Sequence, residues 1–135
     1  MTTDAKYEAR RFDACDQSAI DTAVLERLPF DYPGSATAVA YETDEFTSVC
    51  PWTGLPDFGR LSITYVPQRH LVELRSLKYY LTSFRNVGIL QEHAVNRILN
   101  DLVALLQPSS MKVEAHFNER GGVRTHATAA YPALP

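Results

Sequence analysis

Alternation of hydrophobic and polar residues predicts the strands of this chain. In 60–66 the side chains of Leu61, Ile63 and Tyr65 are separated by polar residues, which is the period of two expected of a strand with one buried face. The segment 111–117 alternates in the same way. Further strands are predicted from residue 36 towards residue 50 and at 123–128, with a short extended piece at 71–73.

The spacing of apolar residues becomes helical in the middle of the chain. Leu77, Tyr80 and Phe84 fall on one helical face, and Ser76 is the expected N-cap of this helix. The longest helix is predicted at 91–106, where apolar residues recur at i, i+3, i+4 and i+7. One or two helical turns are also expected at 20–28.

The order of these elements is β, β, α, α, β, β. It predicts an α+β fold in which a four-stranded antiparallel sheet carries two helices on one face. Residues 1–20 are polar and lack periodicity, so we expect a flexible N-terminal arm followed by a single domain at 21–135. A sheet covered on one face leaves its edges open, which favours association of several copies.

Composition excludes several classes of protein. The chain has 135 residues and a net charge of −3, so no basic field favours nucleic acid. We find neither an apolar run long enough to span a bilayer nor a signal peptide. The chain has two cysteines, Cys15 and Cys50, and lacks four ligands at zinc-like spacing, so we expect neither a structural zinc site nor a catalytic metal. A reduced, cytoplasmic setting fits this cysteine usage.

Candidate chemistry is concentrated in the loop from Cys50 to Asp57. Pro51 and Pro56 restrict the backbone, and Gly54 permits a tight return. The loop therefore places a thiol, which is a strong nucleophile, and a carboxyl group, which can donate a proton, at its two ends. Local composition leaves a second interpretation open, in which the cysteine is a small hydrophobic residue and the aspartate only stabilises a turn.

Beyond this loop, the chain resembles the NADPH-dependent 7-cyano-7-deazaguanine reductases, the nitrile reductases of queuosine biosynthesis. The resemblance rests on Cys50-Pro-Trp-Thr-Gly-Leu-Pro-Asp57-Phe58, Glu73-Leu-Arg-Ser-Leu-Lys78-Tyr-Tyr80, and Ser83-Phe-Arg-Asn86 leading to Glu92. Arg120-Gly121-Gly122 adds a fourth block. The resemblance implies the tunnelling fold, with subunits in rings of five that stack as ten and form a barrel. It also implies active sites at subunit boundaries.

The resemblance implies a covalent mechanism. Cys50 would add to the nitrile carbon and form a thioimide, while Asp57 would protonate the nitrogen. Two equivalents of NADPH would then reduce the thioimide to the primary amine of 7-aminomethyl-7-deazaguanine. The expected partners are this small molecule and NADPH, with no direct contact to nucleic acid or membrane.

Binding residues are implied by the same resemblance. Glu92 would accept two hydrogen bonds from the guanine-like edge, although a glutamate at a helix start also has a purely structural explanation. Further substrate contacts map to Gln91, Val72, Glu73 and Leu74. The cations expected to bind NADPH are Arg75, Lys78 and Arg120. No Gly-rich dinucleotide motif follows a strand.

Three positions depart from the family pattern. Gln91 stands where a histidine is usual, Arg75 replaces a lysine, and Ala94 stands where some members have a second cysteine. A disulfide between Cys50 and position 94 is therefore excluded, which leaves Cys15 as the other thiol.

Two other functions remain open. One is the amidine-forming reaction of archaeal relatives, which use ammonia instead of hydride. The other is non-catalytic purine binding by an assembly protein of the same fold. The Glu73–Tyr80 block disfavours the first, and retention of both Cys50 and Asp57 disfavours the second.

Overall fold

The computed structural model describes residues 12–133. Its strands and helices in chain order are β1 (Arg27–Pro29), β2 (Val39–Val49), β3 (Pro56–Val66), β4 (His70–Val72), α1 (Leu74–Thr82), α2 (Gln91–Leu106), β5 (Ser110–Phe117) and β6 (His126–Tyr131). Two short 3-10 turns, Gln17–Ala19 and Thr22–Val24, precede β1.

The main sheet has four antiparallel strands in the order β2-β3-β5-β6. Along the central strand β3, Leu61, Ile63 and Tyr65 are 1–2% exposed. The intervening residues point to the opposite face of the sheet. The buried face packs against the helices, and α2 contacts both β5 and β6. The predicted α+β class and the ββααββ order are confirmed.

Helix α2 matches its predicted bounds, and most of its apolar stripe is buried. Ile98 and Leu102 are 0% exposed, and Val95 and Leu106 are 1% exposed. Burial of each such side chain contributes about 1.5–3 kcal/mol to the stability of the fold. The helix ends at Gln107, whose left-handed backbone (φ 48°) lets its N–H bond the Val103 carbonyl at 2.9 Å.

The N-terminus of α1 differs from the prediction, because Glu73 and not Ser76 is the N-cap. The Glu73 carboxylate accepts hydrogen bonds from the N–H groups of Arg75 at 3.0 Å and Ser76 at 2.6 Å. Ser76 lies inside the helix, where its hydroxyl donates to the Glu73 carbonyl at 2.7 Å and accepts from the Glu26 N–H at 3.0 Å. A carboxylate at this position also interacts favourably with the helix dipole.

The helical turns expected at 20–28 were also wrong in part. The 3-10 turn Thr22–Val24 gives way to β1, which pairs antiparallel with β4 in a separate two-stranded sheet. Leu28 lies opposite Leu71 in this ladder. The pairing partner is more than forty residues away in sequence, so local periodicity did not indicate the strand.

Within the arm predicted at residues 1–20, the part from Phe12 to Ile20 makes contacts with the domain, while residues 1–11 lie outside the described part. Cys15 forms a parallel bridge with Val87, and Asp16 caps the turn Gln17–Ala19. Ile20 is 5% exposed and belongs to the core. This segment is polar because its side chains face water, yet its backbone hydrogen bonds are made with the domain.

Candidate active site

The loop 50–55 joins β2 to β3 and is closed by its own backbone. The Cys50 N–H donates to the Leu55 carbonyl at 2.9 Å, and the Gly54 N–H donates to the Cys50 carbonyl at 2.8 Å. Gly54 adopts a φ of 71°, a conformation that residues with a side chain rarely take. Asp57 lies opposite Ser48 in the β2–β3 register, and Cys50 follows Ser48 by two residues. The thiol and the carboxyl group therefore lie at the same end of the hairpin.

A cavity of about 400 Å³ lies at this end of the hairpin. Of the residues proposed from the sequence, Cys50, Asp57, Gln91, Glu92 and Arg120 line it. The same cavity is lined by residues that no sequence motif singled out as ligands, among them Asn118, Val123 and Thr125. Segments far apart in the sequence meet here because β5 lies beside β3 and α2 starts next to the loop.

Asp57 is 4% exposed and forms an ion pair with Arg120. The Arg120 Nη1 donates to the Asp57 Oδ1 at 2.5 Å. Arg120 is held by a tight turn between β5 and β6, in which its N–H and carbonyl exchange hydrogen bonds with Val123 at 2.9 and 3.0 Å. The sequence associated Arg120 with the cofactor, and nothing in its local pattern indicated this contact with the carboxylate.

The thiol of Cys50 is only partly exposed. Burial by itself would raise the pKa of Cys50, but hydrogen bonds from the Thr53 hydroxyl and from the N–H groups of Thr53 and Trp52 lower it. The positive charge of Arg120 acts in the same direction, and the pKa of Cys50 lies below its ordinary value of 9.0. A lowered pKa increases the fraction of thiolate, which is the nucleophilic form.

Gln91 and Glu92 occupy the first turn of α2, at the mouth of the cavity. Leu90 precedes them as the N-cap and makes no side-chain hydrogen bond to the helix. The Glu92 side chain is exposed, so its carboxylate is accessible to a ligand. Its position is equally compatible with the favourable interaction of an acidic group with a helix N-terminus.

The other proposed binding residues do not line this cavity. Val72 is 3% exposed, and its N–H donates to the Tyr65 hydroxyl at 3.2 Å. The Glu73 carboxylate is occupied as the cap of α1. Leu74 and Lys78 line a separate groove of about 760 Å³ between β2 and α1, and the Arg75 side chain is 80% exposed. One copy of the chain therefore presents two separate groups of proposed site residues.

Ser48 is a buried neighbour of the site that the sequence did not single out. It is 0% exposed and lies opposite Asp57 in the ladder. Within residues 12–133, its Oγ is the buried side-chain oxygen or nitrogen that has no hydrogen-bond partner. A buried hydroxyl without a partner lowers stability.

Cys15 and Cys50 are both free thiols. Cys15 bridges to Val87 and Val49 bridges to Gly88, so the segment 87–88 lies between the two cysteine-bearing segments. The two thiols are not joined by a disulfide in the described fold.

Between Phe12 and Ala133, no three side chains of His, Cys, Asp or Glu lie together as ligands for a metal ion. In the same range, no helix has the length and apolar character that crossing a membrane requires.

Known proteins share both this sequence and this fold. The family model described as QueF-like protein matches residues 56–134. The NADPH-dependent 7-cyano-7-deazaguanine reductase of Caldicellulosiruptor bescii is 62% identical over 126 residues, which are 93% of this chain and 96% of that protein. The protein of the same name from Thermoanaerobacter pseudethanolicus is 60% identical over 126 residues, 93% of this chain and 95% of the relative.

A solved structure confirms the fold independently. The apo form of the archaeosine synthase QueF-Like, a tunnelling-fold protein, matches with a TM-score of 0.68 and 26% sequence identity. The match covers 75% of this chain and 99% of that structure. By sequence and by fold, the chain belongs to the QueF-like protein family, and its 60–62% identical relatives are named NADPH-dependent 7-cyano-7-deazaguanine reductases.

Proposed function

We propose that this protein reduces the nitrile of 7-cyano-7-deazaguanine to a primary amine with NADPH, through a thioimide on Cys50. The observation that carries the proposal is the position of Cys50, which has a lowered pKa, in one cavity with the buried carboxyl group of Asp57. The names of relatives that are 60–62% identical over nearly the whole chain support the substrate and the cofactor.

Covalent activation follows from the chemistry of a nitrile. The Cys50 thiol passes its proton to the Asp57 carboxylate as the sulfur forms a bond to the nitrile carbon. An electron pair of the triple bond moves to nitrogen, and Asp57 gives the same proton to this nitrogen. The resulting C=N bond of the thioimide accepts hydride more readily than the nitrile does. Arg120 orients the Asp57 carboxylate through their ion pair.

Each of two NADPH molecules, when bound, would supply one hydride, and the C–S bond to Cys50 breaks between the two additions, which regenerates the thiol. Arg75 and Lys78 are cations at the protein surface, and Lys78 lines the groove between β2 and α1. Exposed cations beside a groove fit the phosphate groups of this cofactor. We keep Arg120 as a third predicted contact, although its nearest anion in the structure is Asp57.

Substrate recognition is assigned to the start of α2. Glu92 presents two acceptor oxygens in one plane, which match the N1–H and 2-amino donors of a guanine-like edge. Gln91 beside it provides an amide with both donor and acceptor capacity. We propose that Val72, Glu73 and Leu74 add substrate contacts, in which Glu73 uses its backbone because its carboxylate caps α1.

These two groups of residues are separated within one chain, so we propose that the complete site forms between two copies. The outer strands β2 and β6 leave sheet edges at which another copy can pair. Stacked rings of five, giving ten subunits, remain our prediction for the assembly, and native mass spectrometry measures it. A cytoplasmic location also remains a prediction, because a reactive thiolate must stay reduced.

Mixing inactive variants tests the shared site. Cys50→Ala inactivates the residues around the cavity, and Lys78→Glu inactivates the residues around the groove between β2 and α1. We expect oligomers that contain both variants to regain part of the activity. Unmixed variants treated in the same way are the controls. Activity that stays absent in oligomers shown by mass to contain both variants would contradict a site shared between copies.

The function itself is tested by stoichiometry. Purified protein, 7-cyano-7-deazaguanine and NADPH should consume two NADPH per nitrile, followed by the loss of NADPH absorbance. A substrate adduct on the protein should be seen by mass spectrometry and should be absent in Cys50→Ala. Ammonia-dependent turnover without NADPH would instead indicate the amidine-forming reaction. We favour the reductase because one protein named as a reductase is 62% identical to this chain, whereas the archaeosine synthase of known structure is 26% identical.

A further inference from the structure

The segment 12–15 crosses the outside of the nucleophile loop. The Phe12 N–H donates to the Thr53 carbonyl at 3.3 Å. Three residues on, the Cys15 N–H donates to the Asn86 carbonyl at 2.7 Å, and the Cys15 carbonyl accepts from the Gly88 N–H at 2.8 Å. The segment is therefore bonded to the loop at one end and to the strand-like segment beside the loop at the other.

Two glycines make this close approach possible. A Cβ at Gly54 would lie 2.2 Å from the Phe12 carbonyl oxygen, a distance that no side chain could occupy. A Cβ at Gly88 would lie 3.2 Å from the Pro51 Cα and 3.3 Å from the Ala14 Cβ. The backbone of Gly88 has no positive φ and would itself accept another residue. A larger residue is disfavoured there because these neighbouring atoms are so close.

Burial of side chains does not explain why the segment docks. Phe12 is 62% exposed, and Ala14 and Cys15 are also exposed. The hydrogen bonds are made by backbone groups, and on the loop itself the contacts fall on Thr53 and Gly54. Docking therefore restricts the arm of the loop that carries Thr53.

Thr53 connects this segment to the nucleophile. Its hydroxyl oxygen accepts the Leu55 N–H at 3.2 Å, which leaves its one hydrogen free to be donated elsewhere. The Thr53 hydroxyl and N–H are donors that favour the charged Cys50 sulfur and lower the pKa of Cys50. The carbonyl of the same residue is the group that Phe12 holds.

We propose that residues 12–15 are a positioning segment, which holds Thr53 so that its donors stabilise the thiolate of Cys50. The inference rests on the proposed role of Cys50 as the nucleophile. It adds that this role depends on a segment of the chain that contributes no side chain to the cavity.

Removal of a single backbone donor tests the proposal in the full-length chain. Phe12→Pro deletes the N–H that holds Thr53, whereas the control Phe12→Ala keeps this donor and removes only an exposed ring. Alkylation of Cys50 by iodoacetamide is measured against pH, with the Cys50 peptide separated from the Cys15 peptide by mass spectrometry. We expect Phe12→Pro to shift the half-maximal pH upward by about half a unit, which is about a threefold lower rate at neutral pH.

A second pair of variants tests the same contact from the loop side. Gly54→Ala collides with Phe12, while Gly34→Ala has a similar positive φ of 88° and no atom within 4 Å of the added Cβ. We expect the pH profile of Cys50 to shift in Gly54→Ala and to stay in place in Gly34→Ala. If Gly54→Ala does not fold, as judged by circular dichroism, Phe12→Pro decides alone.

Identical profiles for Phe12→Pro, Phe12→Ala and the unmodified chain would overturn the proposal. Alkylation needs neither the nitrile nor NADPH, so this result is separate from the proposed reductase function. Failure of the unmodified protein to consume NADPH would remove the function and leave the positioning segment to be judged by the thiol profile.

Discussion

The ion pair between Arg120 and Asp57 gives a prediction that separates two roles of Arg120. We consider Arg120→Met, which keeps most of the side-chain volume and removes the charge. Arg124→Met is the matched control, because Arg124 lies in the same connection, is 72% exposed, and is paired with Glu119 at 3.8 Å. Both variants lose one positive charge, so the comparison separates loss of the pair with Asp57 from a general loss of charge.

The expected loss follows from the burial of the two partners. Breaking a fully buried pair costs about 3–5 kcal/mol, whereas exposed pairs contribute about 1 kcal/mol or less. Asp57 is 4% exposed but the Arg120 side chain is 44% exposed, so water screens much of the interaction. We therefore expect the free energy of unfolding to fall by about 1–2 kcal/mol in Arg120→Met, and by less than about 0.5 kcal/mol in Arg124→Met.

Steady-state kinetics then distinguish orientation of the carboxyl group from cofactor binding. A misaligned proton donor lowers kcat, and general acid catalysis contributes about 100-fold or more, so we expect kcat to fall at least about tenfold at saturating NADPH. The thiol should also change, because the Arg120 charge lowers the pKa of Cys50. Its alkylation profile should move to higher pH. An unchanged kcat with a tenfold higher KM for NADPH would refute this reasoning and assign Arg120 to the cofactor.

Three further predictions concern stability, measured by chemical denaturation at one fixed protein concentration. Tyr80→Phe should lower the free energy of unfolding by about 1.5 kcal/mol, because the buried hydroxyl donates to the Asp101 carboxylate at 2.6 Å. The control Tyr79→Phe, at a residue that is 64% exposed in the same helix, should leave it unchanged. Equal free energies of unfolding for the two variants would contradict a role for the buried hydrogen bond. Ser48→Ala should leave stability unchanged or raise it, since the Ser48 hydroxyl has no hydrogen-bond partner among residues 12–133. A clear loss of stability would show that the hydroxyl is bonded, for example to a buried water. For Glu73, hydrogen bonds from the Ser76 N–H lower the pKa below its ordinary 4.5, despite an opposing effect of burial, and Arg75 adds to the lowering. A lowered folded-state pKa gives stability that is present above pH 4.5 and lost as the pH falls. Glu73→Gln should therefore lose less of its free energy of unfolding than the unmodified chain when the pH is lowered below 4.5. An equal loss in both proteins would argue against the cap.

The sequence predicted those parts of the fold in which local pattern and tertiary environment agree. Helix 91–106 was predicted at its observed bounds because a continuous apolar stripe faces the sheet. Strand β3 was identified because its alternation matches one buried and one open face. Prediction failed for β1, whose partner β4 is distant in sequence, and for the N-cap of α1, where the Glu73 carboxylate caps the helix and the Ser76 hydroxyl accepts from Glu26 instead.

The candidate site divides in the same way. Sequence pattern singled out Cys50 and Asp57 because their chemistry and their spacing lie within one loop. It could not show that Arg120 binds Asp57, since these residues are 63 positions apart and are joined only when β5 pairs with β3.

The sequence by itself determined the class of fold, the loop that carries the thiol and the acid, and the family to which the chain belongs. Only the tertiary structure decided which charges surround these two groups, which residues lie in another groove, and that residues 12–15 are docked on the nucleophile loop. The physical reason is that hydrophobic periodicity is read within one element, whereas the environment of a reactive group is made by backbone and charged groups from elements distant in sequence.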